Sequence, residues 1–239
     1  MNEEAAIQRI AESFTSLGRD LVDGPDLDQT LGIVSRRALE MIAGAEQASI
    51  TRGRGGRFET VGATGPMATN ADAIQYDVGT GPCVDAAVQD AVFRTGDLAA
   101  DPRWPEFGKR AAGAEGVASM LSARLYFEDD DLIAALNLYS RQYDAFDDVD
   151  VSVVTILSVH ASSAITSVRL RDRVENLMRA LKSNRDIGAA VGVLMAQYKL
   201  TQDQAFDLLR VASQHRHRKL ADIAHEVIET GAIELPALD

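Results

Sequence analysis

Four cations and two imidazoles crowd residues 210–219: Arg210, Arg216, Arg218 and Lys219, with His215 and His217 among them and no acid. A guanidinium can grip a phosphate through two parallel N–H bonds or stack on a base. A serine hydroxyl or a histidine ring can hydrogen-bond a base edge or a ribose 2′-OH. Arg210, Ser213 and His217 are spaced by three and four residues, one ridge of a helix if the helix persists that far. Arg185, Tyr198 and Lys199, expected at helix ends, add candidates for phosphate contact and stacking. Cations at a helix C-terminus also complement the macrodipole with no ligand at all. Composition leaves both readings open, and leaves duplex DNA as open as RNA.

The remainder of the chain is acidic. The formal net charge is −12; residues 1–181 hold 17 Lys and Arg against 28 Asp and Glu, and residues 182–239 hold 7 against 8. The first part should repel nucleic acid and anionic membrane, while the last part segregates a nearly balanced charge into a local surface. Hydrophobic residues make up 46% of the 239, enough to bury a core. No run of about eighteen apolar residues exists, so no membrane span is expected, and the acidic N-terminus is no secretory signal. Cys83 is the single cysteine, so an intrachain disulfide and a cysteine zinc site are excluded. These features fit a cytoplasmic protein with no membrane partner.

The elements that must position the cluster follow from periodicity. Ile7, Ile10, Phe14, Leu17 and Leu21 recur at helical spacing, as do Leu31, Val34, Ala38 and Met41. Residues 47–53 and 57–64 read as strands around a Gly53–Gly56 turn, followed by an ambiguous stretch at 67–76. Pro82–Gln89 reads as a short helix, 91–98 as a strand and 101–115 as a turn into a helix. Residues 117–127 and 132–140 are longer strands joined at an acidic tip, Glu128 to Asp131. This order predicts an α+β domain, a central antiparallel sheet with helices mainly on one face. A long helix from about Asp147 to the Asn184 region carries two apolar stripes. Val154, Leu157, Ala161, Ala164 and Val168 form one, and Leu170, Val174, Leu177 and Leu181 end the other at heptad-like spacing. A helix apolar on two faces needs two partners, here its own sheet and a second copy of the chain. An ordinary core helix with an exposed end is the competing reading. From about Ser183 a three-helix bundle is expected. Gly188 and Gly192 would permit a close crossing, Phe206 would seal it, and Thr201 with Gln204 would form a capping box. The predicted domains are 1–148, 149–182 and 183–239.

Enzymatic motifs are weak. Neither Gly79-Thr80-Gly81 nor the Gly53–Gly56 stretch completes a phosphate loop or a dinucleotide fingerprint. Asp129, Asp130 and Asp131 are adjacent and point in different directions, and no Ser-His-Asp grouping is apparent. No catalytic or metal residue is assigned, and no cofactor is named.

Residues Ile187-Gly188-x-Ala190-x-Gly192-x-Leu194-Met195, Ala205-Phe206-x-x-Leu209-Arg210-x-x-Ser213 and Arg218-Lys219-Leu220-x-Asp222-Ile223-Ala224 resemble the ANTAR domain, the RNA-binding output module of bacterial transcription antiterminators. The resemblance covers about residues 180–232. It implies binding, as a homodimer, to paired short hairpins in nascent mRNA leaders. Arg210, Ser213, Arg218 and Lys219 are the polar matches it places on RNA, while family members commonly carry Asn where this chain has His217. Residues 10–170 resemble a GAF sensor domain of the kind joined to ANTAR modules in actinobacteria. That resemblance is carried by Gly79-Thr80-Gly81-Pro82-Cys83, Asp97 to Pro105 and Ala134 to Tyr139. It implies a six-stranded antiparallel sheet and a pocket for a small-molecule ligand of unknown identity. Val88, Trp104 and Phe107 are candidate walls of that pocket, and Cys83 a candidate redox or ligand contact. Aromatic and aliphatic residues there serve equally as plain core, and a lone cysteine beside Gly-Pro as a small hydrophobe. A GAF sensor whose helical module binds another protein rather than RNA is the alternative function.

Overall fold

Period-two alternation in the strands sets the architecture. The computed structural model describes residues 3–22, 26–89, 91–126 and 132–234. The chain divides into two compact units, Met1–Leu170 and Arg171–Asp239. The first unit runs α1 (Glu3–Val22), α2 (Leu27–Met41), β1 (Gln47–Arg54), β2 (Arg57–Val61), α3 (Pro66–Val78), α4 (Pro82–Gln89), β3 (Val92–Thr95), α5 (Pro105–Glu115), β4 (Ser119–Leu125) and β5 (Leu132–Ser140), then the start of α6 (Asp148–Tyr198). The strands form one antiparallel sheet in the order β2-β1-β5-β4-β3.

Successive side chains point to opposite faces. Ala48 and Ile50 of β1, Leu121, Ala123 and Leu125 of β4, and Leu136 and Leu138 of β5 pack with Leu31, Val34 and Ala38 of α2 and Val154, Leu157, Ala161 and Ile165 of α6. Met120, Ala135 and Tyr139 face the other way, against Met67, Ala71, Cys83, Ala87, Trp104 and Phe107. Helices therefore cover both faces of the sheet, where the sequence order pointed mainly to one. The described residues hold five strands rather than the six implied by the family resemblance. The ambiguous stretch at 67–76 lies in α3, which Pro66 opens and Gly79 closes in left-handed backbone (φ 78°). The side chains of Ile7, Ile10 and Leu21 and the acidic tip at 128–131 lie outside the described residues.

The long helix does not stop near Asn184. α6 is continuous over 51 residues. The expected boundary has no proline, and the glycines that follow it sit inside the helix. Among the described residues nothing lies within 4 Å of a Cβ placed at Gly188 or Gly192, and no close crossing is seen there. An eighteen-residue window of α6 has mean hydropathy 1.6, apolar enough by composition to cross a membrane, where the sequence was read as holding no candidate span. Of that window 44% is buried, and its Val154, Leu157, Ala161 and Ile165 belong to the sheet's core.

In the second unit Ala190, Val191 and Leu194 of α6 pack with Ala205, Leu209 and Ala212 of α7 (Gln202–His215) and Ile223, Ala224 and Val227 of α8 (Leu220–Thr230). Thr201 caps α7 through the expected box: its hydroxyl accepts from the Gln204 amide while Gln204 accepts from the Thr201 amide.

Gly108 tests the packing of α5. A Cβ at this position would lie 1.9 Å from the Leu98 carbonyl oxygen. Gly108→Ala gains up to about 1 kcal/mol of helix propensity, yet the backbone clash should leave a net loss of about 1–3 kcal/mol. Urea unfolding of the full chain measures this, and an unchanged or raised midpoint would refute the packing.

Candidate functional site

The cationic cluster sits on α7 and on the turn after it. Arg210 is 54% exposed and pairs with Asp207 one turn earlier, Nη2 to Oδ1 at 2.9 Å. Exposed i,i+3 pairs of this kind are weak and are readily exchanged for another anion. Helix α7 ends at His215, so His217 does not extend the Arg210–Ser213 ridge. It takes left-handed backbone instead, with φ 50°. The His217 amide donates to the Gln214 carbonyl at 3.3 Å and the Arg218 amide to the Ser213 carbonyl at 3.2 Å. This is the paired hydrogen-bond pattern of a Schellman cap, whose left-handed position favours glycine or asparagine. The Asn common in the ANTAR family at this position has a backbone explanation before any contact with a base.

Ser213 is engaged in the same turn, its hydroxyl donating to the Arg218 carbonyl at 2.6 Å. Arg216 donates to Glu226 through Nη1 at 2.6 Å and Nη2 at 3.0 Å, and Arg218 through Nη1 at 2.5 Å. The guanidiniums of Arg216, first, and Arg218 hold the Glu226 carboxyl below its usual range. Glu226 went unnoticed in the sequence because it lies on the next helix, outside the acid-free run. Lys199 and Lys219 are exposed and make no ion pair among the described residues. They lie beyond the two ends of α7, a helix about 20 Å long at 1.5 Å per residue. Tyr198 is 45% exposed at the end of α6. Arg185 is exposed on α6, its nearest carboxylate Asp186 at 3.9 Å. Phe206 is exposed rather than sealing a crossing, and borders an open groove with Ile187, Val191 and Met195.

In the first unit Cys83, Trp104 and Phe107 are buried together, whereas Val88 is 61% exposed and stands apart from them. Trp104 is held on several sides. Its Nε1 donates to Asp85 at 2.7 Å, Phe93 meets it edge-on at 5.6 Å, and the Arg103 guanidinium lies 4.2 Å over its ring. Arg103 in turn holds the Asp101 carboxyl down to about 2. Burial pushes the Cys83 thiol well up, which disfavours a thiolate.

Beneath α3 lies a polar cluster that motif reading missed. Asp72 is fully buried and accepts hydrogen bonds from Ser49 (2.7 Å), Thr60 (2.9 Å), Asn137 (3.3 Å) and the Tyr139 hydroxyl. Tyr76 joins through Thr51 at 2.9 Å and Thr60 at 3.1 Å. Gln75 accepts from the Cys83 amide at 2.9 Å. The signal was present: Asp72, Gln75 and Tyr76 share a helix face, while Ser49 with Thr51 and Asn137 with Tyr139 alternate on paired strands. Polar residues at positions that should be apolar mark a buried network.

Burial raises the Asp72 carboxyl from 3.8 to about 6, against the pull of its Tyr139, Ser49 and Thr60 donors. The folded chain then binds this proton more tightly than the unfolded chain. Its contribution is greatest below pH 4 and is lost as pH rises through about 6. Asp72→Asn, compared with wild type in urea, should gain about 2–3 kcal/mol in relative stability between pH 4 and pH 7. A difference independent of pH would contradict the shift. Separately, His217→Asn should stabilise the second unit by about 0.5–1 kcal/mol by relieving left-handed strain. A loss would show that the histidine ring makes a contact worth more than that strain.

Residues 24–166 match the GAF domain family and residues 175–228 the ANTAR domain. No curated protein matches the chain. Solved structures with a similar fold include a free methionine-R-sulfoxide reductase from Neisseria meningitidis bound to its substrate. It has TM-score 0.56 and 17% identity, over 72% of this chain and 95% of that one. The GAF domain of a phosphoenolpyruvate-protein phosphotransferase from Coxiella burnetii gives TM-score 0.52 at 17% identity, over 70% of this chain and 98% of that one. At these identities the likeness concerns the fold alone. The GAF match spans more than half of the sequence, and the chain belongs to the GAF domain family, with an ANTAR domain following in a signal-responsive regulator architecture.

Proposed function

We propose that this chain is a cytoplasmic, signal-responsive RNA-binding regulator of transcription antitermination. Its GAF domain senses a small-molecule or redox signal, and two ANTAR modules of a homodimer engage paired hairpins in a nascent mRNA leader. The observation that carries the reading is the ANTAR match on a well-packed three-helix core that keeps Arg210, Lys199 and Lys219 exposed. Arg185 and Tyr198 add a further cation and a stacking surface. The half-exposed Leu170, Val174, Leu177 and Leu181 support pairing of two chains along α6. Pairing matters because one small cationic patch binds weakly, and joining two raises the effective concentration of the second contact. Each arginine of the cluster is already paired with a carboxylate, which favours the second reading, a module that binds a protein partner.

Arg210→Glu together with Lys219→Glu should lower affinity for a paired-hairpin RNA by at least about tenfold while circular dichroism stays unchanged. Equal binding by the variant would favour the protein-partner reading. Leu177→Ser with Leu181→Ser should convert the chain to a monomer in sedimentation and weaken the paired hairpin more than a single one. A wild-type chain that sediments as a monomer with and without RNA would refute the dimer.

A further inference from the structure

Glu226 occupies an unusual place in the cationic cluster. It stands on α8 and takes the ends of two guanidiniums that leave the turn in front of it, Arg216 through both terminal nitrogens and Arg218 through one. The side chains of Arg216 and Glu226 are only 25% and 27% exposed, and Arg218 is 41% exposed. The backbone beneath them is fixed by the Schellman cap and by the Ser213 hydroxyl on the Arg218 carbonyl. One carboxylate against two guanidiniums leaves the group cationic, and Lys219 adds a further charge beside it. Among the described residues, Arg216 Nε and Arg218 Nε and Nη2 make no hydrogen bond. Donors therefore remain for a second anion.

An unrestrained arginine loses much rotamer freedom when a ligand immobilises it. One already held by a carboxylate has lost that freedom before the ligand arrives, which is preorganisation. We propose that Glu226 is a positioning residue for RNA binding. It presents Arg216 and Arg218 as a fixed guanidinium pair, beside Lys219, to phosphates brought close together by a folded RNA strand. The inference rests on the RNA-binding reading and deepens it by naming what sets the geometry. If Glu226 acted only as a competing anion, its removal would have the opposite sign.

The test measures binding of full-length wild type, Glu226→Gln and Arg216→Lys to a paired-hairpin RNA and to an unstructured RNA of equal length, across a salt series. Glu226→Gln makes the chain less acidic, yet it should weaken the hairpin about five- to tenfold and leave the unstructured RNA unchanged or tighter. Arg216→Lys keeps the charge and loses the fork, so it should weaken the hairpin to a similar extent with an unaltered salt slope. Hairpin binding by Glu226→Gln as tight as wild type, or tighter, overturns the inference. Should that variant lose helicity in circular dichroism, Arg216→Lys decides, and undiminished hairpin binding by it overturns the inference equally. A wild-type chain with no preference for the hairpin removes the RNA-binding reading and this inference together. A wild-type preference that survives both substitutions removes this inference alone.

Discussion

The uninterrupted backbone ladder of α6 is the constraint on which both halves of the chain depend. The same helix gives Val154, Leu157, Ala161 and Ile165 to the core under the GAF sheet and Ala190, Val191 and Leu194 to the core of the ANTAR module. Neither core closes without it. The small module in particular has few apolar residues of its own, and a bundle of that size needs a helix that is already formed. Between the two contributions the helix carries Leu170, Val174, Leu177 and Leu181, each about half exposed or more. A regulator of this architecture has its input and output joined by a segment whose apolar stripe is unspent within one chain.

The polar groups divide between the units according to how they are satisfied. In the GAF domain, Asp72 is surrounded by hydroxyl and amide donors and has no cationic hydrogen-bond partner among the described residues. Such a network fixes strands β1, β2 and β5 against α3 at the cost of burying a carboxyl group. In the ANTAR domain the charges lie nearer to water and are paired with one another. Arg210 holds Asp207 loosely on one helix, while Glu226 ties the α7–α8 turn to α8. The first pair is an exposed contact within one helix, and the second is shared by two arginines and less exposed.

Much of this organisation was legible in the sequence because it rests on local rules. Alternation located the strands, Pro82 opened a helix, and Thr201 with Gln204 announced the start of α7. The continuity of α6 past Asn184 was not legible, since the residues there permit helix and turn alike and the choice falls to the helix already running. The Asp72 cluster was legible only as polar residues in apolar rows, because its members come from α3, β1, β2 and β5, and the strand register alone brings Ser49 opposite Asn137. His217 misled for a related reason. Its spacing from Arg210 and Ser213 fits a helical ridge, but the Schellman cap turns the backbone left-handed two residues beyond the last helical residue.

The proposed role requires the cationic surface to read RNA structure and not charge alone. The most direct measurement compares binding of the purified chain to a paired-hairpin RNA, a single hairpin and a duplex DNA of equal charge at two salt concentrations. A surface that reads RNA structure should bind the paired hairpin tightest and keep that advantage at the higher salt. Equal binding of all three, fading together as salt rises, would reduce the surface to phosphate attraction and contradict it.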